Sequence, residues 1–187
     1  MQQVNVHPFE QALALADDPD RPKGLHVSQI INDMLKAIEP AKYGGEMSVP
    51  KIVAGLALEQ QVEKVLSALI PGGFRPGPIK KDGIWLSPDA VATDPWRLRE
   101  FKLTWYSAKT KPCPYHDVYW GWRVQMMAYC WALETQIAEL WAFFVNGEYP
   151  VGAPSPQLLP MVIDFSMQEL QENWDMLLAH AKFRGWL

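Results

Sequence analysis

Glu100 and Lys102 stand two positions apart in the segment REFKLTW, which has the composition of a β-strand. Because alternate side chains of a strand point to the same face, these two side chains lie side by side. Asp89 belongs to an earlier predicted strand, and a hairpin turn at residues 93–96 would bring it alongside Glu100. Converging carboxylates repel each other unless a cation lies between them, and oxygen ligands favour hard ions such as Mg²⁺ or Mn²⁺. These residues therefore predict a divalent-metal site with an ammonium group beside it.

The same residues also have simpler interpretations. Glu100 and Lys102 could form an exposed ion pair, which would contribute little to stability. Asp89 follows Pro88 and could be a turn residue. A carboxylate enzyme of another kind, such as a glycosidase, would use an acid pair but would need neither the lysine nor a divalent ion.

A glutamate in a predicted helix is a third candidate metal ligand. Segment 50–70 begins with a proline and ends before PGG, as helices often do. At about 100° per residue, Glu59 and Glu63 both fall inside its apolar stripe. A lone buried carboxylate is costly, so a metal shared with Asp89 and Glu100 would stabilise it. The helical wheel alone allows either glutamate.

The elements that position these residues follow from periodicity and from chain breaks. We predict helices at 28–38, 50–70, 117–134 and 167–183, with Ser28 capping the first and a Ser166–Glu169 capping box starting the last. Strands are predicted at 74–80, 84–91, 97–105, 137–145 and 159–165, with turns at Asp82 and Asp94 and a tight turn at 146–147. In the strand 97–105, Phe101, Leu103 and Trp105 share the face opposite Glu100 and Lys102, and this apolar face is predicted to be the core face.

This order of elements predicts an α/β or α+β domain in which helices flank a central mixed sheet. Residues 1–24 end in an aspartate- and proline-rich break, so we expect an N-terminal arm followed by a single domain at 25–187.

Composition excludes several classes of protein. A length of 187 residues with 49% hydrophobic and 20% charged residues suits one packed soluble domain. Two cysteines are too few for a disulfide framework or a four-cysteine iron–sulfur cluster, so we expect a reducing cytoplasm and no such cluster. The first residues lack the pattern of a signal peptide, and no apolar run could span a bilayer. We therefore expect neither secretion nor membrane insertion.

Charge is distributed unevenly along the chain. The net charge is −4, yet residues 71–125 hold nine Lys/Arg against five Asp/Glu, whereas residues 126–187 hold two against seven. In the basic segment, aromatic residues interleave with Lys109, Lys111 and Arg123, as in grooves that stack bases and bind phosphates. We expect one or two of the aromatic side chains to contact nucleic acid and Lys109 and Lys111 to contact phosphates. Arg123 could bind a phosphate or extend to solvent, and a solvated sheet face would show the same basic excess.

Taken together, these residues resemble the PD-(D/E)XK nuclease superfamily, within its RecB-type and phage lambda exonuclease-like branches. Ser87-Pro88-Asp89 matches the PD element and Glu100-Phe101-Lys102 the ExK element. Gln125-x-x-x-Tyr129 matches the downstream QxxxY helix signature. The helix glutamate of that family often follows a glycine by four residues, as Glu59 follows Gly55, which favours Glu59 over Glu63. The resemblance covers about residues 50–165.

The resemblance implies a restriction-endonuclease-like core and a DNA nuclease that depends on Mg²⁺ or Mn²⁺. One or two ions would be held by Glu59, Asp89, Glu100 and the backbone carbonyl of Phe101. Lys102 would position or deprotonate the attacking water, and Gln125 and Tyr129 would reach the site or the DNA backbone.

The resemblance further implies an exonuclease that acts on DNA with free ends, in recombination, repair or phage DNA processing. An endonuclease and a non-catalytic DNA-binding module on the same fold stay open as alternatives. So do a homo-oligomer and a recombination-protein partner. The implied location is the cytoplasm of a bacterial or phage-infected cell.

Overall fold

A computed structural model describes residues 22–43, 61, 64, 65, 68, 70–106, 113–145 and 157–187. Its helices are α1 (Val27–Ile38), the single-turn α2 (Pro40–Tyr43), α3 (Trp120–Leu133), which a 3₁₀ turn at Asp117–Tyr119 precedes, and α4 (Met167–Phe183). Its strands are β1 (Gly73–Phe74), β2 (Ile79–Lys81), β3 (Ile84–Leu86), β4 (Ala90–Thr93), β5 (Trp96–Thr104), β6 (Ile137–Phe144) and β7 (Gln157–Asp164). Most of the predicted helix 50–70 and the predicted turn at 146–147 lie outside the described residues.

Five of the strands form one mixed sheet in the order β1-β4-β5-β6-β7. β5 and β6 are parallel, and the other neighbours are antiparallel. Helix α3 packs against this sheet and α1 and α4 complete the same layer, so the predicted mixed sheet with flanking helices is confirmed. No helix among the described residues has the length and apolarity needed to cross a membrane.

The strands predicted at 74–80 and 84–91 are each broken in two. β1 and β4 belong to the large sheet, whereas β2 and β3 form a separate two-stranded sheet. The breaks fall at Pro76, Pro78 and Pro88, and proline cannot donate a backbone hydrogen bond to a sheet.

The β2–β3 hairpin turns at Asp82-Gly83, as predicted. Both residues have positive φ, 48° and 86°, which a two-residue hairpin turn of this kind requires and which glycine and aspartate tolerate. The Asp82 carboxylate also accepts a 2.8 Å hydrogen bond from the indole N–H of Trp174 in α4. The tip of the hairpin is therefore fixed to the helical layer.

The helix starts agree with the sequence in two of three cases. Ser166 and Glu169 form the predicted capping box of α4. His116 starts the 3₁₀ turn, since its Nδ1 accepts from the backbone N–H of Val118 at 3.2 Å. Helix α1 is capped at His26 and not at Ser28, because the His26 backbone N–H is held by the Gln29 side chain at 2.8 Å.

The main core lies on the face of β5 that carries Leu98 and Glu100, where α1, α3 and α4 cover the sheet. The opposite face holds a second buried cluster, to which the described residues contribute Ala90 and Phe101. Phe101 itself is buried, as predicted, and the face that carries Glu100 is buried as well. A central strand with a parallel neighbour is buried on both faces, so the alternation of its side chains does not reveal that helices also cover the Glu100 face.

Candidate active site

The β4–β5 hairpin places Asp89 beside Glu100. Ala90 pairs with Arg99 in this hairpin, so the preceding residue, Asp89, is level with Glu100 on the neighbouring strand. Asp89 Oδ2 accepts a 2.9 Å hydrogen bond from the backbone N–H of Phe101. This bond anchors the Asp89 carboxylate between Glu100 and Lys102.

Glu100 is fully buried, and Lys102 is its partner. The Lys102 Nζ lies 2.6 Å from Glu100 Oε1, and the lysine side chain is itself only 11% exposed. The interpretation of these residues as an exposed ion pair is therefore wrong. Glu100 Oε2 is also buried, and it accepts no hydrogen bond from the described residues.

The surroundings of Glu100 disfavour its ionised form. Burial, and then the negative charge of Asp89, raise the pKa of Glu100 from its ordinary 4.5 to about 8, although Lys102 opposes the rise. Glu100 has one buried oxygen without a partner among the described residues and a second acid beside it. A divalent cation bound here would stabilise both carboxylates in their ionised forms.

Helix α3 brings Gln125 and Tyr129 to the same place. They lie one turn apart, and the Gln125 Nε2 donates a 2.7 Å hydrogen bond to the Tyr129 hydroxyl. Tyr129 is buried, and its pKa is raised by that burial and then by the charges of Glu100 and Asp89, against the opposing effect of Lys102. The tyrosine is therefore within electrostatic reach of the acidic pair, and it stays protonated at neutral pH.

A cavity of about 370 Å³ opens beside Lys102 and Gln125, between α1, α3 and the end of β5. Its polar lining also includes Ser28 and Asn32, which lie one turn apart on α1. Gly121 allows α1 and α3 to approach closely at its wall, since a Cβ there would lie 3.3 Å from Ile31 and from Leu35.

Among comparisons with known proteins, those with solved structures found similar chains. No protein-family model matches the chain, and no curated protein matches it. A phage-related exonuclease from Haemophilus somnus 129PT superposes with a TM-score of 0.54 and 9% identity, covering 86% of this chain and 92% of its own. The exonuclease LHK-Exo in complex with dAMP superposes with a TM-score of 0.51 and 19% identity, and the match covers 92% of this chain and 91% of LHK-Exo. The protein SSO0001 superposes with a TM-score of 0.52 and 12% identity, and the match covers 91% of this chain and 83% of SSO0001.

The chain shares its fold with these solved structures. The predicted resemblance is thus confirmed at the level of the fold. On this fold, Asp89 directly precedes β4, Glu100 and Lys102 lie on the adjacent strand β5, and Gln125 and Tyr129 approach them from α3.

The structure does not place several of the predicted site residues. Glu59, Lys109 and Lys111 lie outside the described residues, as does Glu63. Among the residues that are described, no group of three or more His, Cys, Asp or Glu side chains could hold a metal, and the predicted third carboxylate is Glu59. The role of the Phe101 carbonyl as a ligand also stays a prediction.

Arg123 does not join the acidic pair. It lies two residues from Gln125, about 200° round the axis of α3. Its guanidinium donates to the Tyr115 carbonyl at 3.1 Å and lines a separate cleft against α4. A direct contact between Arg123 and a phosphate held at Asp89 and Glu100 is therefore not supported by the geometry.

Sequence reasoning missed a buried ionic network on the opposite face of the sheet. Glu139 of β6 accepts hydrogen bonds from Arg97 at 2.7 Å, from Trp141 at 2.7 Å and from Arg99 at 3.2 Å. Burial alone would raise the pKa of Glu139, but these hydrogen bonds and the charge of Arg99 lower it overall. Two arginines at alternate positions of β5 were the available signal, because they must share a face and need a buried counter-charge.

Proposed function

We propose that this chain is a DNA exonuclease that depends on Mg²⁺ or Mn²⁺ and hydrolyses phosphodiester bonds at DNA ends. The main support is the buried, unpartnered Oε2 of Glu100, which lies beside Asp89 and Lys102. The names of two structural neighbours as exonucleases are the second support.

The donor set fits a hard divalent cation. Asp89 and Glu100 provide carboxylate oxygens, and neither thiol nor imidazole is part of the predicted set, which favours Mg²⁺ or Mn²⁺ over softer metals. Glu59 and the Phe101 carbonyl would complete the ligands for one or two ions. When bound, such an ion neutralises charge on the phosphate and lowers the pKa of a coordinated water.

Lys102 supplies the positive charge that the protein itself contributes. Its ammonium group holds Glu100 in place and lies within electrostatic reach of Tyr129. We infer that Lys102 also contacts the attacking water or a phosphoryl oxygen, where it stabilises the negative charge that develops during hydrolysis.

Gln125 and Tyr129 act as positioning residues. Because Tyr129 remains protonated, its hydroxyl can accept from Gln125 and donate toward the acidic groups at the same time. This arrangement fixes the Gln125 amide at the wall of the cavity next to Lys102, where it can contact the DNA backbone.

Two aromatic side chains follow β5 directly and would contact DNA bases. Trp105 is 39% and Tyr106 is 43% exposed. The Tyr106 ring meets the buried Tyr119 edge-on at 6.3 Å, and its backbone N–H is held by the Thr104 hydroxyl. A rigidly held, exposed ring loses little entropy when a base stacks on it. Lys109 and Lys111 would contact phosphates in the segment that follows.

The deciding experiment compares linear and circular duplex DNA in Mg²⁺, Mn²⁺ or EDTA. We expect shortening of the linear DNA in either metal, no cleavage of the circle, and no activity in EDTA. Cleavage of the circle would indicate an endonuclease instead. A Glu100→Gln variant purified in parallel controls for a contaminating nuclease, because Gln keeps the shape but removes the metal-binding charge. Action in the cytoplasm of a bacterial or phage-infected cell, alone, as a homo-oligomer or with a recombination protein, is part of the same hypothesis.

A further inference from the structure

A cleft of about 440 Å³ lies between α3, α4 and the end of β7, on the side of α3 that faces away from Gln125. Its floor is apolar and one end is aromatic, formed by Trp120 and by Tyr115, which is 69% exposed. Methionines contribute to the floor, at Met127 and Met176, and their flexible side chains adapt to ligands of different shape. This composition fits an apolar side chain better than it fits bulk water.

Asn173 contributes an unsatisfied acceptor to the wall of this cleft. It is 5% exposed, and its Nδ2 donates to the Val124 carbonyl at 3.1 Å. That bond fixes the orientation of the amide, since a carbonyl can only accept. The Oδ1 is buried and has no hydrogen-bond partner among the described residues, which costs about 1–3 kcal/mol.

The charge of the cleft is negative. Three carboxylates line it, at Asp164, Glu169 and Glu172, against the single guanidinium of Arg123. Hydrogen bonds from Ser166 lower the pKa of Glu169, so this group remains ionised near neutral pH. A phosphate in this cleft would be repelled, whereas a Lys or Arg side chain would be attracted.

We propose that this cleft binds a basic amphipathic segment of a partner protein. Lys or Arg side chains of that segment would pair with Asp164 and Glu172, and one cation would lie against the rings of Tyr115 or Trp120. An adjacent apolar side chain would occupy the floor. Because Arg123 and Gln125 face opposite sides of α3, the partner can be bound while the acidic site of β5 holds its own substrate. The proposal does not depend on nuclease activity.

The test measures binding of a fluorescein-labelled amphipathic Leu/Lys peptide to the full chain by fluorescence anisotropy. An otherwise identical Leu/Glu peptide and a short DNA duplex are the competing probes. We expect the Leu/Lys peptide alone to bind in the cleft, with an affinity that falls as salt rises. The double variant Asp164→Asn with Glu172→Gln should weaken binding by about 5-fold or more.

A matched control lies on the same helix. Glu172 and Asp175 are both exposed carboxylates of α4, and each accepts a hydrogen bond from a glutamine one turn earlier, Gln168 and Gln171. Only Glu172 lines the cleft. Asp175→Asn should therefore leave peptide binding unchanged. If Asp175→Asn weakens peptide binding as much as the cleft variants do, the attraction is a general charge effect and the proposal is overturned.

Three further results would also overturn it. If the DNA duplex binds and the cleft variants weaken that binding, the cleft is a nucleic-acid site. Self-association of the chain in sedimentation, abolished by the cleft variants, would assign it to a second copy. Retention of full peptide affinity in the double variant would place the peptide elsewhere.

Discussion

Lys102 Nζ and Glu100 Oε1 are 2.6 Å apart in a place where the carboxylate is fully buried. Removing Lys102 leaves the buried Oε1 without its hydrogen-bond donor, and an unsatisfied buried polar group typically costs about 1–3 kcal/mol. We therefore expect Lys102→Ala to lower both cleavage and the free energy of unfolding. Cleavage should fall about 100- to 1000-fold, as it does when a single charge-stabilising donor is removed.

The two effects can be separated with Lys102→Met, which retains most of the volume of the lysine. Single-turnover cleavage of linear DNA and urea unfolding are measured for both variants. Cleavage at the wild-type rate in folded Lys102→Met would remove Lys102 from the proposed mechanism.

The raised pKa of Glu100 predicts how stability depends on pH. The folded chain holds the Glu100 proton up to about pH 8, whereas the unfolded chain releases it near 4.5. The contribution of this group to stability is thus complete below pH 4.5, and it is lost as the pH rises through about 8. Glu100→Gln cannot ionise, so its unfolding free energy should decline less between pH 6 and pH 9.

Urea unfolding in EDTA at these two pH values checks this prediction. Glu139→Gln is a useful comparison, because the pKa of Glu139 is lowered and its loss should not flatten the curve in this range. Parallel curves for wild type and Glu100→Gln would mean that Glu100 is ionised in the metal-free fold.

Gln125 and Tyr129 are expected to act as one unit. Tyr129→Phe removes the hydroxyl that accepts from Gln125, so both this variant and Gln125→Ala should lower kcat about 10-fold with little change in KM. The double variant should be no worse than either single one, since residues in one hydrogen-bonded network are not additive. Additive losses would show that the two side chains act independently.

Base stacking on Trp105 and Tyr106 predicts a defect in binding. A stacked base contributes about 1–3 kcal/mol, so removing one of these rings by Trp105→Ala or Tyr106→Ala should raise KM about 10-fold and change kcat little. Tyr115→Ala is the matched control, because Tyr115 is also exposed but lines the α3–α4 cleft. Steady-state cleavage of linear DNA gives both constants, and an equal effect in the control would argue against stacking.

The close crossing of α1 and α3 at Gly121 predicts a loss of stability. A methyl group at Gly121 would press on Ile31 and Leu35 at 3.3 Å, so Gly121→Ala should lower the unfolding free energy by about 1–3 kcal/mol. Gly77→Ala has no atom within 4 Å of the added carbon and should be close to neutral. Thermal unfolding of the two variants distinguishes local crowding from a general intolerance of substitution.

The parts of the fold that depend on local sequence could be predicted. The β4–β5 hairpin, helix α3 and the capping box of α4 each arise from signals within a few residues of one another. The pairing of Asp89 with Glu100 followed from the hairpin alone, and the α+β class followed from the order of elements.

Features that depend on distant contacts could not be predicted. The core on the Leu98 face of β5 is formed with α1, α3 and α4, which belong to other parts of the chain. The cap at His26 depends on the Gln29 side chain, and histidine is not a residue that usually starts a helix. The orientation of Arg123 away from the acidic pair could be seen only once α3 was packed between the sheet and α4.

The strand that carries Glu100 and Lys102 is the middle one of five, with two strands on either side. Strands at the edge of a sheet can separate without disturbing the rest, whereas β5 cannot separate unless its neighbours on both sides are lost as well. Its backbone amides should accordingly be among the last in the chain to exchange with deuterium. Glu100 and Lys102 would then keep their relative positions when the outer strands open, and the site is complete again once β4 returns Asp89 to Glu100.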